Sequence, residues 1–328
     1  MIWVGLLALG VIVWATCIER FWFAIKTSEL AILPVGSKDI VVLHISDIHM
    51  APWQRYKQRW IRKLKDEVNP DLVINTGDNL GHRNGIKPVL AALSPLTGVP
   101  GVFVNGSNDL YAPAKRNPLQ YLFHPSERHR EEDAALKLDT DALNSGFKSF
   151  GWLDLNNAAL PLTVNGTTIA FTGTNDPHEG LDKASKAKAE IGRFPKTNFV
   201  IGVTHAPYLR ILESFSDSDI VFAGHTHGGQ VCWPFLGRAL VTNCDLPTKY
   251  ARGLHQVPVS AKKLWVNVCA GLGNSIYAPV RLACRPEVRV ITLKAREASS
   301  QTQTLLHLRR YTFHPSYRNE PPSQLQNT

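Results

Sequence analysis

Residues 40–49 read IVVLHISDIH, and the way this run ends decides how the rest of the chain is read. The segment IVVLHIS, 40–46, is long and apolar enough for a buried strand. It closes in Ser46-Asp47-Ile48-His49. Residues two apart on an extended segment point to the same side, so Asp47 and His49 can grip one ion together. One such triplet arises easily by chance, so its meaning depends on how the other strands end.

They end alike. DLVINT, 71–76, runs into Gly77-Asp78-Asn79. VFVN, 102–105, runs into Gly106-Ser107-Asn108-Asp109. NFVIGVT, 198–204, is followed by His205, and DIVFA, 219–223, by Gly224-His225-Thr226-His227. Further apolar runs at 167–173, 264–269 and 288–293 complete the predicted strands. Between the first two strands, Trp53, Tyr56, Trp60, Ile61, Leu64 and Val68 recur at spacings of three and four, an amphipathic helix. Its outer face is strongly basic, as suits a solvated surface or contact with an anionic membrane. Strand–helix–strand units predict an α/β sheet protein, and the strand-rich later half predicts a second sheet. In α/β sheets, loops beyond the carboxyl ends of the strands carry the sites.

Bulk properties set the frame. The 328 residues are 44% apolar, enough for one large domain or two ordinary ones. A formal charge of +9 is compatible with an acidic partner. No compact run of Lys and Arg interleaved with aromatics occurs, so no specific nucleic-acid partner is expected. Five cysteines without a CxxC pair read as free thiols.

Residues 2–18, IWVGLLALGVIVWATCI, carry no charge and approach the length that crosses a bilayer. Neither a basic stretch before them nor a small-x-small cleavage site after them is clear, so residues 1–26 are expected to be a retained membrane anchor. Arg20, Lys26 and Lys38 follow the span, which favours a cytoplasmic C-terminal domain. Residues 27–38 read as a linker and 39–296 as the main domain, with a helical insertion at 113–150. The Pro-, Gln- and Ser-rich stretch 297–328 reads as a disordered tail.

Carboxylates and imidazoles thus recur in order, each at the end of an apolar run and beside Gly or Pro. Mixed oxygen and imidazole ligands suit Mn, Fe or Zn. Six or more ligands are too many for one ion and fit two divalent ions bridged by a shared carboxylate.

The ordered set Asp47-Ile48-His49, Gly77-Asp78-Asn79-Leu80, Gly106-Ser107-Asn108-Asp109, His205 and Gly224-His225-Thr226-His227 resembles that of the calcineurin-like metallophosphoesterases. The resemblance covers about residues 38–295. The GHTHGGQ ending and the later GLGNSIYAPVRLACRPEV look most like the bacterial membrane-associated or exported phosphohydrolase branch. It implies a four-layer α/β/β/α sandwich of two facing mixed sheets flanked by helices. It also implies one metal on Asp47, His49, Asp78 and His227, and a second on Asp78, the third-motif Asn, His205 and His225. Hydroxide bridging the two ions would then attack a phosphodiester or pyrophosphate, with a phosphorylated small molecule or lipid as substrate. A metal-binding scaffold without activity and a nucleotide or nucleic-acid phosphodiesterase are the alternatives.

One motif departs from the family pattern, which places His after the Asn ligand. Without a gap, Ser107 takes the ligand slot and Asn108 the His slot. With a one-residue slip, Asn108 keeps the metal and Asp109 takes the His slot. An amide carbonyl is a better ligand than a hydroxyl, which favours the slip. Asp109 and Asp78 are therefore the catalytic candidates, and Asn79, Ser107, His82 and His178 the candidate substrate contacts. Arg281 is a further candidate for substrate phosphate, whereas His44, inside its strand, reads as core. Without the His, good leaving groups are expected to be preferred.

Overall fold

The structure is a computed structural model that describes residues 2–113, 136–191, 194, 199–234, 237–274 and 276–297. Its strands are β1 (Ala24–Leu33), β2 (Ile40–Ile45), β3 (Leu72–Asn75), β4 (Gly101–Phe103), β5 (Trp152–Asp154) and β6 (Ala159–Val164). They continue with β7 (Thr167–Gly173), β8 (Val200–Val203), β9 (Ile220–Ala223), β10 (Gly253–Val259), β11 (Lys262–Val268) and β12 (Glu287–Ala295). Two six-stranded sheets result, ordered β1-β12-β2-β3-β4-β5 and β10-β11-β9-β8-β7-β6. Both are mixed: β2, β3, β4 and β5 run parallel, as do β7, β8, β9 and β11, while β12 pairs antiparallel with β2.

Period-two alternation sorts the side chains into layers. Ile40 and Val42 of β2, with Leu72 and Ile74 of β3, meet Phe171, Ile201 and Phe222 of the second sheet in the central core. Leu43 and Ile45 point the other way, under helices α2 (Arg55–Arg62), α3 (Leu64–Val68) and α4 (Ile86–Leu93), against Ile61, Leu64, Val89 and Leu93. Helix Leu209–Ser214 covers the far sheet through Ile211 and Leu212. Each such side chain contributes about 1.5–3 kcal/mol on burial. The four-layer α/β/β/α arrangement is the one expected.

Residues 27–38 do not form a linker. Residues 24–33 are β1, in parallel register with β12 from Ala24 opposite Glu287. Leu30, Ile32 and Leu33 are buried in the central core, while Lys26, Thr27 and Glu29 are only half-buried, so the run lacks a continuous apolar signature. The helix expected over 53–68 is interrupted at Lys63, between α2 and α3. Of the insertion, helix Thr140–Ser149 is seen, capped by the Asp139 carboxylate accepting from Ala142 N. Residues 114–135 and the tail beyond 297 lie outside the described residues. All five cysteines are free.

The apolar N-terminal segment is a 20-residue helix, Ile2–Phe21, long and apolar enough to cross a membrane. Ile2, Trp3 and Leu7 are exposed along it. Its end is moored. The Glu19 carboxylate accepts from Ala283 N at 3.0 Å and Cys284 N at 2.6 Å, and Arg281 N donates to Ala15 O at 3.0 Å.

Candidate metal centre

The ligand-bearing turns sit side by side because β2 and β3 are adjacent and parallel, and β8 and β9 likewise. Asp47 N donates to Gly77 O at 2.9 Å, His49 N to Asp78 O at 3.0 Å, and Gly224 N to His205 O at 2.8 Å. Across the sheets, His225 N donates to the Asp47 carboxylate at 3.1 Å. Asp47, His49, Asp78, His225 and His227 all adopt left-handed backbone, with φ between 44° and 68°. For non-glycine residues this costs on the order of 1 kcal/mol or more each, and such strain collects at functional sites. Here it turns the chain sharply at the strand ends.

Close approach requires glycine around the site, as Gly106 and Gly224 illustrate. A Cβ on Gly106 would strike Asp78 Oδ1 and the His205 ring, and one on Gly224 would strike Ser46 Oγ and Asp47 Oδ2.

Ligand atoms of Asp47, His49, Asp78 and His227 all lie within 4.8 Å of one another. His49 Nε2 and His227 Nε2 face each other at 3.2 Å, an approach that suits two lone pairs converging on one cation. Burial first, then neighbouring cations (Lys57 for His49) or imidazoles, hold His49, His225 and His227 well below the ordinary histidine range, so all three are neutral donors.

Asp78 turns one oxygen to each side. Its Oδ2 lies 3.4 Å from His49 Nε2, and its Oδ1 lies 3.5 Å from His205 Nε2. Buried His205 donates from Nδ1 to Thr76 O at 2.7 Å, while its Nε2 has no hydrogen-bond partner. His225 Nε2 meets Asn243 O at 3.2 Å. Burial pushes Asp78 up to about 7, with His205 opposing and Asp47 and Asp109 adding to the rise. Burial opposes the charged form of His205, but Asp78, Asp176 and Asp47 outweigh it and bring that imidazole up to about 9. The orphaned imidazole nitrogen, the neutral histidines and the buried carboxylates fit divalent cations.

The third motif separates its three polar residues. Asn108 reaches Asp78, donating from N and Nδ2 at 2.8 Å each. The Ser107 hydroxyl instead donates to Asp176 Oδ2. Asp109 is fully buried, and its carboxylate accepts from Asn79 N at 2.7 Å, Asn79 Nδ2 at 3.1 Å and Gly106 N at 3.1 Å. It braces the turn, where a proton donor was expected. Asn79, expected as a substrate contact, is equally enclosed, its amide shared with Asn75 and Asp109. Buried Ser107, turned to Asp176, is likewise corrected to a bracing role.

His178 does approach the centre, with its ring 5.0 Å from that of His225 and Nδ1 2.9 Å from Tyr208 OH. His82 lies apart, lining a 330 Å³ cavity with Gly81 and Tyr277 and packing 5.2 Å from the Trp53 ring. Arg281 is fully buried and donates to His227 O at 2.8 Å, Ala270 O at 2.8 Å and Gly273 O at 2.6 Å. It ties two site loops together and leaves no donor for substrate.

Two contributors escape a sequence reading. Asp176, within a turn-forming Asn-Asp-Pro-His cluster, links Ser107 to His178 N at 2.9 Å. Its place at the carboxyl end of β7 was the available signal. Behind Asp47, a buried chain of donors runs from Asn267 Nδ2 to His44 Nδ1 (2.8 Å), His44 Nε2 to Thr76 Oγ1 (3.0 Å), Thr76 to Ser46 (2.6 Å), and Ser46 to Asp47 Oδ2 (2.5 Å).

The family model for calcineurin-like phosphoesterases matches residues 40–229, the span that carries every candidate ligand. The chain belongs to the calcineurin-like phosphoesterases. Among its relatives, the Bacillus subtilis protein YpbG is 27% identical over 261 residues, covering 79% of this chain and 82% of that one. The Escherichia coli phosphodiesterase YaeI is 23% identical over 282 residues, 84% and 90% of the two chains. A Bos taurus transmembrane protein with a metallophosphoesterase domain is 24% identical over 282 residues, 83% of this chain and 57% of that one. A calcineurin-like phosphoesterase hydrolyses phosphoric esters with divalent metals, and the buried histidine and aspartate set described here suits that chemistry.

Proposed function

We propose that this protein hydrolyses a phosphodiester or pyrophosphate bond, with a lipid-linked substrate favoured, from a membrane surface to which its N-terminal helix anchors it. The observation that carries the chemistry is Asp78, whose two oxygens face His49 and His205 respectively. In this reading Asp47, His49, Asp78 and His227 hold one divalent ion, and Asp78, Asn108, His205 and His225 the other. Two such ions, Mn, Fe or Zn, would activate a water and neutralise phosphoryl oxygens. The chain's own part is positioning: His225 N fixes Asp47, Asn108 fixes Asp78, and Thr76 O fixes the His205 ring. Asn108 cannot act as an acid and Asp109 is sealed behind the turn, so substrates whose leaving group departs without a proton are favoured. Arg20, Lys26 and Lys38 after the helix support a cytoplasmic side for the domain.

The test is turnover of bis(p-nitrophenyl) phosphate by Mn-loaded full-length protein, with Asp78→Ala as the control. Turnover lost in the variant is expected. The absent third-motif His favours a second reading, a metal-binding scaffold, and equal silence of both proteins would establish it.

A further inference from the structure

A cavity of 420 Å³ lies between the end of the apolar helix and the turn that carries Asp47 and His49. Arg20, Phe21, Trp53, Tyr56 and Lys57 line it, and Leu272 closes its inner wall, its N–H donating to Ser46 O at 3.3 Å. Lys57 is buried, and its Nζ donates to Ile48 O at 2.7 Å, which sets an ammonium against the backbone between the two ligands. Arg20 is half-buried, its guanidinium stacks 4.4 Å from the Phe21 ring, and its Nε is buried without a hydrogen-bond partner. Among the described residues no carboxylate forms an ion pair with either cation. Two enclosed cations without a counter-charge are an unfavourable arrangement that an anion relieves. Burial, with Arg281 and Arg20 adding to it, accordingly brings Lys57 down to about 7.

A second, more open cavity of 460 Å³ adjoins it, lined by Trp14, Ile18, Phe21, Trp22 and Tyr56. Phe21 and Tyr56 belong to both cavities. These shared side chains set the apolar flank of the N-terminal helix next to two cations without an ion-pair partner among the described residues, and so outline a path between them.

We propose that this path binds an anionic phospholipid-type substrate, with its phosphate between Lys57 and Arg20 and its acyl chain along Tyr56, Phe21, Trp22 and Ile18. The occupant follows from continuity: the apolar end opens along a helix built to lie in lipid, and the charged end complements phosphate. The assignment rests on the phosphoesterase reading for the fate of the lipid, not for its binding.

Binding is therefore tested on metal-stripped full-length protein in detergent micelles, by quenching of tryptophan fluorescence with a brominated-chain phosphatidate. Saturable quenching is expected, with a smaller amplitude in Trp53→Phe, and with affinity at least about tenfold weaker in Lys57→Met and about fivefold weaker in Arg20→Gln. Where Lys57→Met does not fold, Arg20→Gln decides. Equal quenching by the matching brominated diacylglycerol would overturn the proposal, as would wild-type affinity in Arg20→Gln. So would displacement by inorganic phosphate at the same concentration as phosphatidate. Because no metal is present, failure of turnover in the earlier test leaves this result independent.

Discussion

Asn108 holds both oxygens of Asp78: its backbone N–H donates to Oδ1 and its side-chain Nδ2 to Oδ2, each at 2.8 Å. Neither neighbour in the third motif touches that carboxylate through its side chain, because Ser107 serves Asp176 and Asp109 serves Asn79 and Gly106. Replacing Asn108 with Ala is expected to weaken one of two metal-binding events by about 10–100-fold, the range seen when a ligand loses a positioning partner. Calorimetric metal titration of the variant against wild type measures it. Unchanged affinities for both ions would remove Asn108 from the centre.

Metal binding should release protons. Asp78 is brought up to about 7 and His205 up to about 9, so near neutral pH His205 holds a proton and Asp78 is about half protonated, and a cation must displace both. Affinity is expected to tighten as pH rises through 7 towards 9, with about one to two protons released per protein. Titration in buffers of different ionisation enthalpy counts them, and zero release would contradict the assignment.

His44 gives a stability prediction with a definite sign. Burial, helped by the Arg289 charge, lowers its pKa from 6.5 to about 3. Below 6.5 the unfolded chain takes up a proton that the folded one refuses, so its contribution is fully present above 6.5. It falls by about 1.4 kcal/mol per unit of pH between 6.5 and 3. Urea unfolding from pH 7 to 4 should show a shallower slope for His44→Gln than for wild type, even though the variant starts less stable.

Gly224→Ala places a methyl group against Ser46 Oγ and Asp47 Oδ2. We expect about 1–3 kcal/mol of destabilisation together with loss of metal. Thermal unfolding with metal analysis of the same sample checks both, and a variant retaining full metal content would show that the turn can yield.

The leaving-group expectation is tested across a series of aryl and alkyl phosphodiesters. Rates should fall steeply with leaving-group basicity, because no residue of the third motif offers a proton. His178→Ala, which removes the imidazole beside His225, is expected to slow aryl and alkyl esters alike and leave the slope unchanged. A flat series would mean that a proton donor operates.

The boundary between what the sequence told and what it hid follows the sheets. The eight strands expected from apolar runs are the interior ones, β2, β3, β4, β12, β7, β8, β9 and β11. The four unanticipated strands, β1, β5, β6 and β10, are the sheet edges. Interior strands are covered on both faces and read as continuous apolar runs, whereas edges carry polar residues and proline, as at Pro161 and Pro258. Strand ends likewise announced the ligand turns. Ring orientation and hydrogen-bond direction did not show: Asp109 and Arg281, polar residues beside a site, proved to be internal braces. Left-handed backbone at Asp47, His49, Asp78, His225 and His227 had no signature either, since none of them is glycine.

The replacement of the expected linker by β1 reaches beyond the fold. Only Trp22 and Phe23 separate the end of the apolar helix from the first strand, and Glu19 is clamped to Ala283 and Cys284 on the body. With that helix embedded as proposed, the protein has no stalk on which to swing. Its catalytic face is carried at a fixed height and tilt, like a plane set in its block. Selection among esters is then geometric as well as chemical: whatever protrudes to that height is within reach, and a soluble ester must come to it.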